Sequence, residues 1–247
     1  MSVRIASSNL NQTPLDWRGN FNNIKESISL AKENKVEILC LPELSITGYG
    51  CQDLFYHDWF IKKSNDVLDE IRILSKSITV IVGHPLSFNN KNYNSCCIIR
   101  DQKILGFFIK SNLPNDGIHY EKRWFEGWEY GKIDKINFQN ESYPIGTIQI
   151  EYNNDLTLGF EICRDMWDEE RPANYITTNK NLIIFNPIAS HYAFNKFDFR
   201  KKLVIESSKK FNCTYLSVNL LGNESGKVIF EGDTILASNG KLLFING

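Results

Sequence analysis

The chain of 247 residues is 42% apolar and balances 28 basic against 29 acidic residues, for a formal charge of −1. That length buries a sizeable core in one α/β domain, expected over residues 1–247, and the charge balance excludes bulk attraction to nucleic acid or an anionic membrane. The opening MSVRIASSNL lacks the apolar stretch of a secretory signal, and no run reaches the ~20 apolar residues of a membrane span, so a cytoplasmic location is expected. Six cysteines (Cys40, Cys51, Cys96, Cys97, Cys163 and Cys213) lack CxxC spacing, and four lie in apolar runs, which predicts inert thiols rather than disulfides or structural zinc.

Short runs rich in Ile, Leu, Val and Phe predict buried strands at residues 3–10, 37–43, 78–85, 95–100, 103–110, 156–163, 182–187 and 214–220. Between the first two, Ile24, Ile28 and Ala31 fall on one helical face. Between the second and third, Phe60, Val67, Leu68, Ile71 and Leu74 do the same. A third helix is predicted over 196–211. Residues 98–110 and 227–245 read as antiparallel ribbon with polar turns at 100–103 and 238–241. A mixed α/β sandwich follows, and no repeat of fixed period, low-complexity tract or Pro/Ser-rich linker marks a second domain.

Three reactive side chains close predicted strands: Glu43 after EILCLP, Lys110 after KILGFFI and Cys163 after LTLGFEI. Carboxyl ends of strands are where α/β folds assemble sites. Taken singly, each has an ordinary reading: a solvated carboxylate, a surface amine, a core thiol. Together they are chemically complementary. Hydrolysis of an amide through a covalent acyl intermediate needs a nucleophile, a base and a stabiliser of the developing oxyanion. A free thiol has a pKa of about 8.5, so a neighbouring lysine would favour thiolate, while a carboxylate could take the proton directly. The glycines and aromatic of PELSITGYG suit a sharp turn beside a ligand.

The segments ELSITGYG around Glu43, KSNLPNDGIHYEKRWF from Lys110 and EICRDMW around Cys163 resemble the three signatures of the nitrilase, or carbon–nitrogen hydrolase, superfamily. More narrowly, LPELSITGYGCQDLF, HYEKRWF, NPIASHYAF and NLLGNESGKVIFEGD are similar to the glutaminase part of glutamine-dependent NAD synthetases, over essentially the whole chain. The resemblance implies a four-layer α-β-β-α sandwich, a homo-oligomer and hydrolysis of L-glutamine without a metal or organic cofactor. It makes Glu43 the general base, Cys163 the nucleophile, Lys110 and the Arg164 N–H the oxyanion donors, and Glu121 a second glutamate that orients the site. Tyr49, Asp116, Trp167, Ser190 and Lys196 match positions lining the glutamine pocket. Two positions depart from the family: Asp116 stands where tyrosine is common, and Arg164 where an acid is common. Either Asp116 takes the substrate ammonium while Lys196 or Arg164 meets the carboxylate, or Asp116 and Arg164 pair with each other.

The alternatives are an amidase acting on another small amide, an N-carbamoyl compound or a nitrile, and a non-catalytic nitrilase-like binding module, which the intact triad argues against. A Cys–His dyad could draw on His57, His84, His119 or His191; only His119 and His191 fall in segments near the site, where they read as polar lining. No HExxH, HxxEH or clustered Cys/His spacing supports metal hydrolysis, and neither a P-loop nor a GxGxxG fingerprint occurs. An ATP-dependent synthetase domain or subunit that accepts the ammonia would therefore be separate from this sequence.

Overall fold

A computed structural model describes residues 2–224 and 226–246. The first half contains β1 (Ile5–Ser7), α1 (Trp17–Glu33), β2 (Ile38–Cys40), α2 (Asp58–Leu74), β3 (Thr79–Phe88), β4 (Lys91–Arg100) and β5 (Lys103–Ile109). A short helix α3 (Glu121–Trp124) precedes the hairpin of β6 (Ile133–Phe138) and β7 (Glu141–Gly146). The second half contains β8 (Ile150–Glu151), β9 (Leu156–Phe160), β10 (Asn181–Ile188), α4 (Lys196–Lys210) and β11 (Thr214–Asn219). Four further strands follow: β12 (Leu221–Glu224), β13 (Val228–Glu231), β14 (Thr234–Ser238) and β15 (Lys241–Asn246).

One sheet runs β1-β2-β3-β4-β5-β7-β6 and the other β15-β14-β11-β10-β9-β8. The parallel pairs β1–β2 and β2–β3 need crossovers, which α1 and α2 supply. Period-2 alternation then sorts side chains into three cores. Ile24, Ile28 and Ala31 of α1 and Val67, Leu68 and Ile71 of α2 pack on Val80 and Val82 of β3, outside the first sheet. Ile81 of β3 points the other way and meets Phe160, Ile183, Phe185 and Val218 between the sheets. Ile184 and Tyr215 face Val204 of α4 outside the second sheet. Helix, sheet, sheet, helix: the expected four-layer α/β sandwich is what the chain forms.

Several expected boundaries move. β1, β2 and β9 stop at Ser7, Cys40 and Phe160, short of the expected 10, 43 and 163, because the chain leaves the ladder while its apolar side chains stay buried, Leu10 and Leu41 on the helix side of the first sheet and Ile162 between the sheets. The turn at 100–103 forms on Asp101 and Gln102, both at positive φ. Residues 227–245 do not form one ribbon. β13 pairs with β12 in a separate two-stranded sheet, while β14 and β15 form the hairpin over Asn239-Gly240. Asp233, fully buried against Arg200 and Asn219, breaks the run between them. The strands β6, β7, β8 and β12 were not expected from the sequence. All six cysteines are free thiols and buried. Among the described residues no helix is long and apolar enough to cross a membrane.

Candidate active site

Past Cys40 the chain turns through Pro42, Glu43 and Leu44, with Leu44 at φ 48°. The turn lies directly on β3, where only glycine fits: a Cβ on Gly83 would press on Leu44 N and sit 2.6 Å from Pro42 O. This aims Glu43 inward, 1% exposed. Its Oε1 accepts from Lys110 Nζ at 2.6 Å and Asn94 Nδ2 at 2.7 Å, and its Oε2 from the Ala189 N–H at 2.7 Å. Lys110, the residue after β5, also donates to Glu121 Oε1 at 2.7 Å. Glu121 opens α3 and takes the Tyr49 hydroxyl at 2.6 Å. One ammonium thus bridges two carboxylates, all three groups being essentially sealed from water.

The Cys163 segment is held from both sides. Glu161 is anchored by Arg171, by the Tyr215 hydroxyl at 2.7 Å and by the Ala173 N–H at 3.1 Å. Asp165 accepts from Ile162 N at 2.8 Å, Asn112 N at 2.8 Å and Ser111 N at 3.1 Å, tying the loop after Lys110 to the loop of the nucleophile candidate. Between these anchors Cys163 adopts φ 48°, a left-handed conformation that costs a non-glycine residue roughly 1–2 kcal/mol. Its own N–H donates to Asn186 Oδ1 at 2.7 Å.

Cys163 lines a cleft of about 350 Å³ together with Asp116, Arg164, Trp167, Ser190 and Lys196, so the sequence-named residues on four separate segments converge. Tyr49 instead sits behind the cleft on the carboxylate cluster, bonded to Glu121 and 3.1 Å from His119 Nδ1. Ser190 is fixed by Asn219, which accepts its N–H at 2.9 Å, and by Arg200 at 3.3 Å from its hydroxyl. Lys196, the first residue of α4, stands over the Trp167 ring. Asp116 lies at the exposed mouth, 3.8 Å from Arg164, which is nearer Asp168 at 3.3 Å.

The electrostatics correct one expectation. Burial and the Glu43 carboxylate push the Cys163 thiol up to about 12, and the opposing pull of Lys110 is smaller. Lys110 pulls towards thiolate as expected but is outweighed, because its charge is shared between Glu43 and Glu121, leaving the cluster net negative. Burial alone would lower Lys110, but Glu121 and Glu43 together hold its ammonium above the ordinary range. Burial raises Glu121, with Lys110 opposing. Such a site holds Cys163 as a thiol at rest. Sequence reading missed Asn94, Asn186, Asp165 and the Ala189 N–H. Asn186 had a signal, since it interrupts the apolar run of β10 and a buried polar residue needs a partner, whereas Asn94, between Tyr93 and Ser95, had none.

A carbon–nitrogen hydrolase family model matches residues 4–244. The chain is 30% identical to glutamine-dependent NAD(+) synthetase of Bos taurus over 97% of its own length and 35% of that protein. It is 29% identical to the Saccharomyces cerevisiae enzyme of the same name, over 98% of this chain and again 35% of the relative. The chain therefore spans about a third of the length of the curated relatives it matches. Among solved structures, a glutamine-dependent NAD(+) synthetase from Cytophaga hutchinsonii superposes with a TM-score of 0.91 at 40% identity, over 100% of this chain and 40% of that one. An amidase from Nesterenkonia sp. shares the fold, with a TM-score of 0.79 at 17% identity over 99% of this chain and 86% of that one. The fold, the convergent cluster of Glu43, Lys110, Glu121 and Cys163, and the match over nearly the whole sequence lead to one assignment: the chain belongs to the carbon–nitrogen hydrolase family.

Proposed function

We propose that this chain hydrolyses the side-chain amide of L-glutamine through a thioester on Cys163, supplying ammonia to an NAD synthetase domain or subunit. Glu43 takes the thiol proton as sulfur attacks the amide carbon. Lys110 Nζ and the Arg164 N–H meet the developing oxyanion, an arrangement whose donors typically contribute about 3–4 kcal/mol each to such steps. Collapse expels the amine, which receives the proton from Glu43 and leaves as ammonia. Glu43 then activates water against the thioester, giving glutamate and restoring the thiol. Asn94 and the Ala189 N–H keep Glu43 aimed through this cycle, while Glu121 keeps Lys110 charged.

The observation that carries the reading is the cleft itself. Cys163 opens onto a space with a cation, Lys196, on one wall and an anion, Asp116, at the mouth, which suits the carboxylate and ammonium of a free amino acid. A second reading, an amidase for uncharged small amides, draws on the 3.8 Å approach of Arg164 to Asp116, which would occupy that anion. Ammonia release from L-glutamine, measured beside asparagine and simple aliphatic amides with a Cys163→Ala control, separates the two. Glutamine-selective release is expected, with none from the variant. Release only from uncharged amides would favour the second reading, and turnover by the Cys163→Ala protein would overturn the mechanism.

A further inference from the structure

The cleft and the buried carboxylates are joined by a continuous line of polar atoms. Lys196 Nζ lies 3.0 Å from Nδ1 and 3.3 Å from Nε2 of His191. His191 Nδ1 lies 2.7 Å from His119 Nε2, and His119 Nδ1 lies 3.1 Å from the Tyr49 hydroxyl. That hydroxyl commits its single proton to Glu121 Oε1 at 2.6 Å, so His119 must donate to it from Nδ1. A neutral His119 then accepts at Nε2, which obliges His191 to donate from Nδ1, so that of the two ring nitrogens near Lys196 only Nε2, the more distant at 3.3 Å, remains able to accept from it. One arrangement of protons serves the links from His191 through His119 and Tyr49 to Glu121: both imidazoles neutral, both protonated on Nδ1, every donor in them pointing towards Glu121, with the 3.0 Å approach of Lys196 to His191 Nδ1 left as a contact and not a hydrogen bond.

We infer that His119 and His191 are positioning residues, a paired Nδ1–H relay that fixes the Lys196 ammonium in the cleft and ties it through Tyr49 to the carboxylate cluster beside Cys163. A second proton on either ring would break the relay. It would turn the His119 Nε2 or His191 Nε2 acceptor into a donor facing another donor. The surroundings oppose that proton. Lys110, Lys196 and Lys227 face His119, and Lys196 and Arg200 face His191, with only Asp116 pulling the other way on His191. The carboxylates nearby are already engaged, Glu43 and Glu121 by Lys110, Glu231 and Asp233 by Arg200. Burial is the largest effect and the neighbouring cations add to it, pushing His119 down to about 3 and His191 below its ordinary value.

The functional consequence rests on the reading that Lys196 receives the substrate carboxylate; the proton arrangement does not, and the test separates them. The protein has four histidines, so imidazole ¹⁵N spectra of the labelled chain can be assigned with His119→Gln and His191→Gln. Both resonances should report neutral Nδ1–H rings that do not titrate around pH 6.5, where a free imidazole does. An Nε2–H ring at either position, or ordinary titration, would overturn the relay whatever the substrate. For function, His191→Leu should raise KM for glutamine about tenfold with kcat within about threefold, the effect of losing a charge-assisted hydrogen bond to Lys196. His191→Gln, which keeps one acceptor and one donor, should recover most of it. Equal impairment of both variants, or loss confined to kcat, would remove the positioning role. Should glutamine not be turned over at all, the spectra still decide the relay while the glutaminase reading fails on its own.

Discussion

Replacing Gly83 with alanine tests how tightly the Glu43 turn is bound to the sheet. The added methyl would meet backbone in each direction: Leu44 N, Pro42 O at 2.6 Å and Glu43 C at 2.8 Å. Ordinary contact begins at 3.4 Å, so the turn must withdraw by at least about 0.8 Å at Pro42 O and further at Leu44 N, and no flexible side chain is there to yield instead. Glu43 holds three hydrogen bonds of 2.6–2.7 Å that such a shift would stretch or break. A displacement of that size in a general base can lower turnover about 100-fold, and overpacking of a core typically costs about 1–3 kcal/mol. Gly159→Ala is the control, because its methyl would meet the Cδ1 end of Ile176, which can rotate away. Steady-state ammonia release and urea unfolding of both variants are the assays. Gly83→Ala should lose kcat with little change in KM and Gly159→Ala should keep both. Wild-type turnover by Gly83→Ala would refute the claim that this contact sets the position of Glu43.

Lys110→Met leaves two buried carboxylates without their cation, and unfolding by urea should register a loss of about 3–5 kcal/mol near neutral pH. Adding Glu121→Gln should restore part of it, and a stability equal to wild type would count against the charge cluster. His84 supplies a pH test. Its Nε2 meets Asn65 Oδ1 at 3.0 Å, its Nδ1 has no partner among the described residues, and burial pushes it down to about 3. The folded state therefore refuses a proton that the unfolded chain accepts below about 6.5, so stability is full above that pH and falls as pH drops towards 3. The loss between pH 7 and pH 5 should be about 2 kcal/mol, at about 1.4 kcal/mol per unit. Denaturation midpoints at the two pH values check it, with His84→Gln expected to flatten the dependence.

What the sequence makes legible follows from what each signal measures. Helical faces in α1 and α2 were readable because Ile24, Ile28 and Ala31, and Val67, Leu68 and Ile71, are buried on one side by the same sheet. Strand ends were overextended because apolarity reports burial and not pairing. Leu41, on the helix side of the first sheet, and Ile162, between the sheets, are both sealed although both lie beyond the last ladder residue of their strands. The β6–β7 hairpin escaped notice because four of its first six side chains face outward, leaving no apolar run to see.

At the site, the charged and nucleophilic side chains announced themselves by following apolar runs, whereas their supports could not. The donors that aim Glu43 and hold Asp165 include backbone N–H groups of Ala189, Ser111, Asn112 and Ile162, and a backbone donor has no letter in the sequence. His119 and His191 show the same limit from the other side. The sequence located both near the site, but their 2.7 Å contact joins residues 72 positions apart, and only that contact turns two polar lining residues into one proton-ordered element. Residue identity therefore indicated the chemistry available, and three-dimensional adjacency decided the direction in which its protons are arranged.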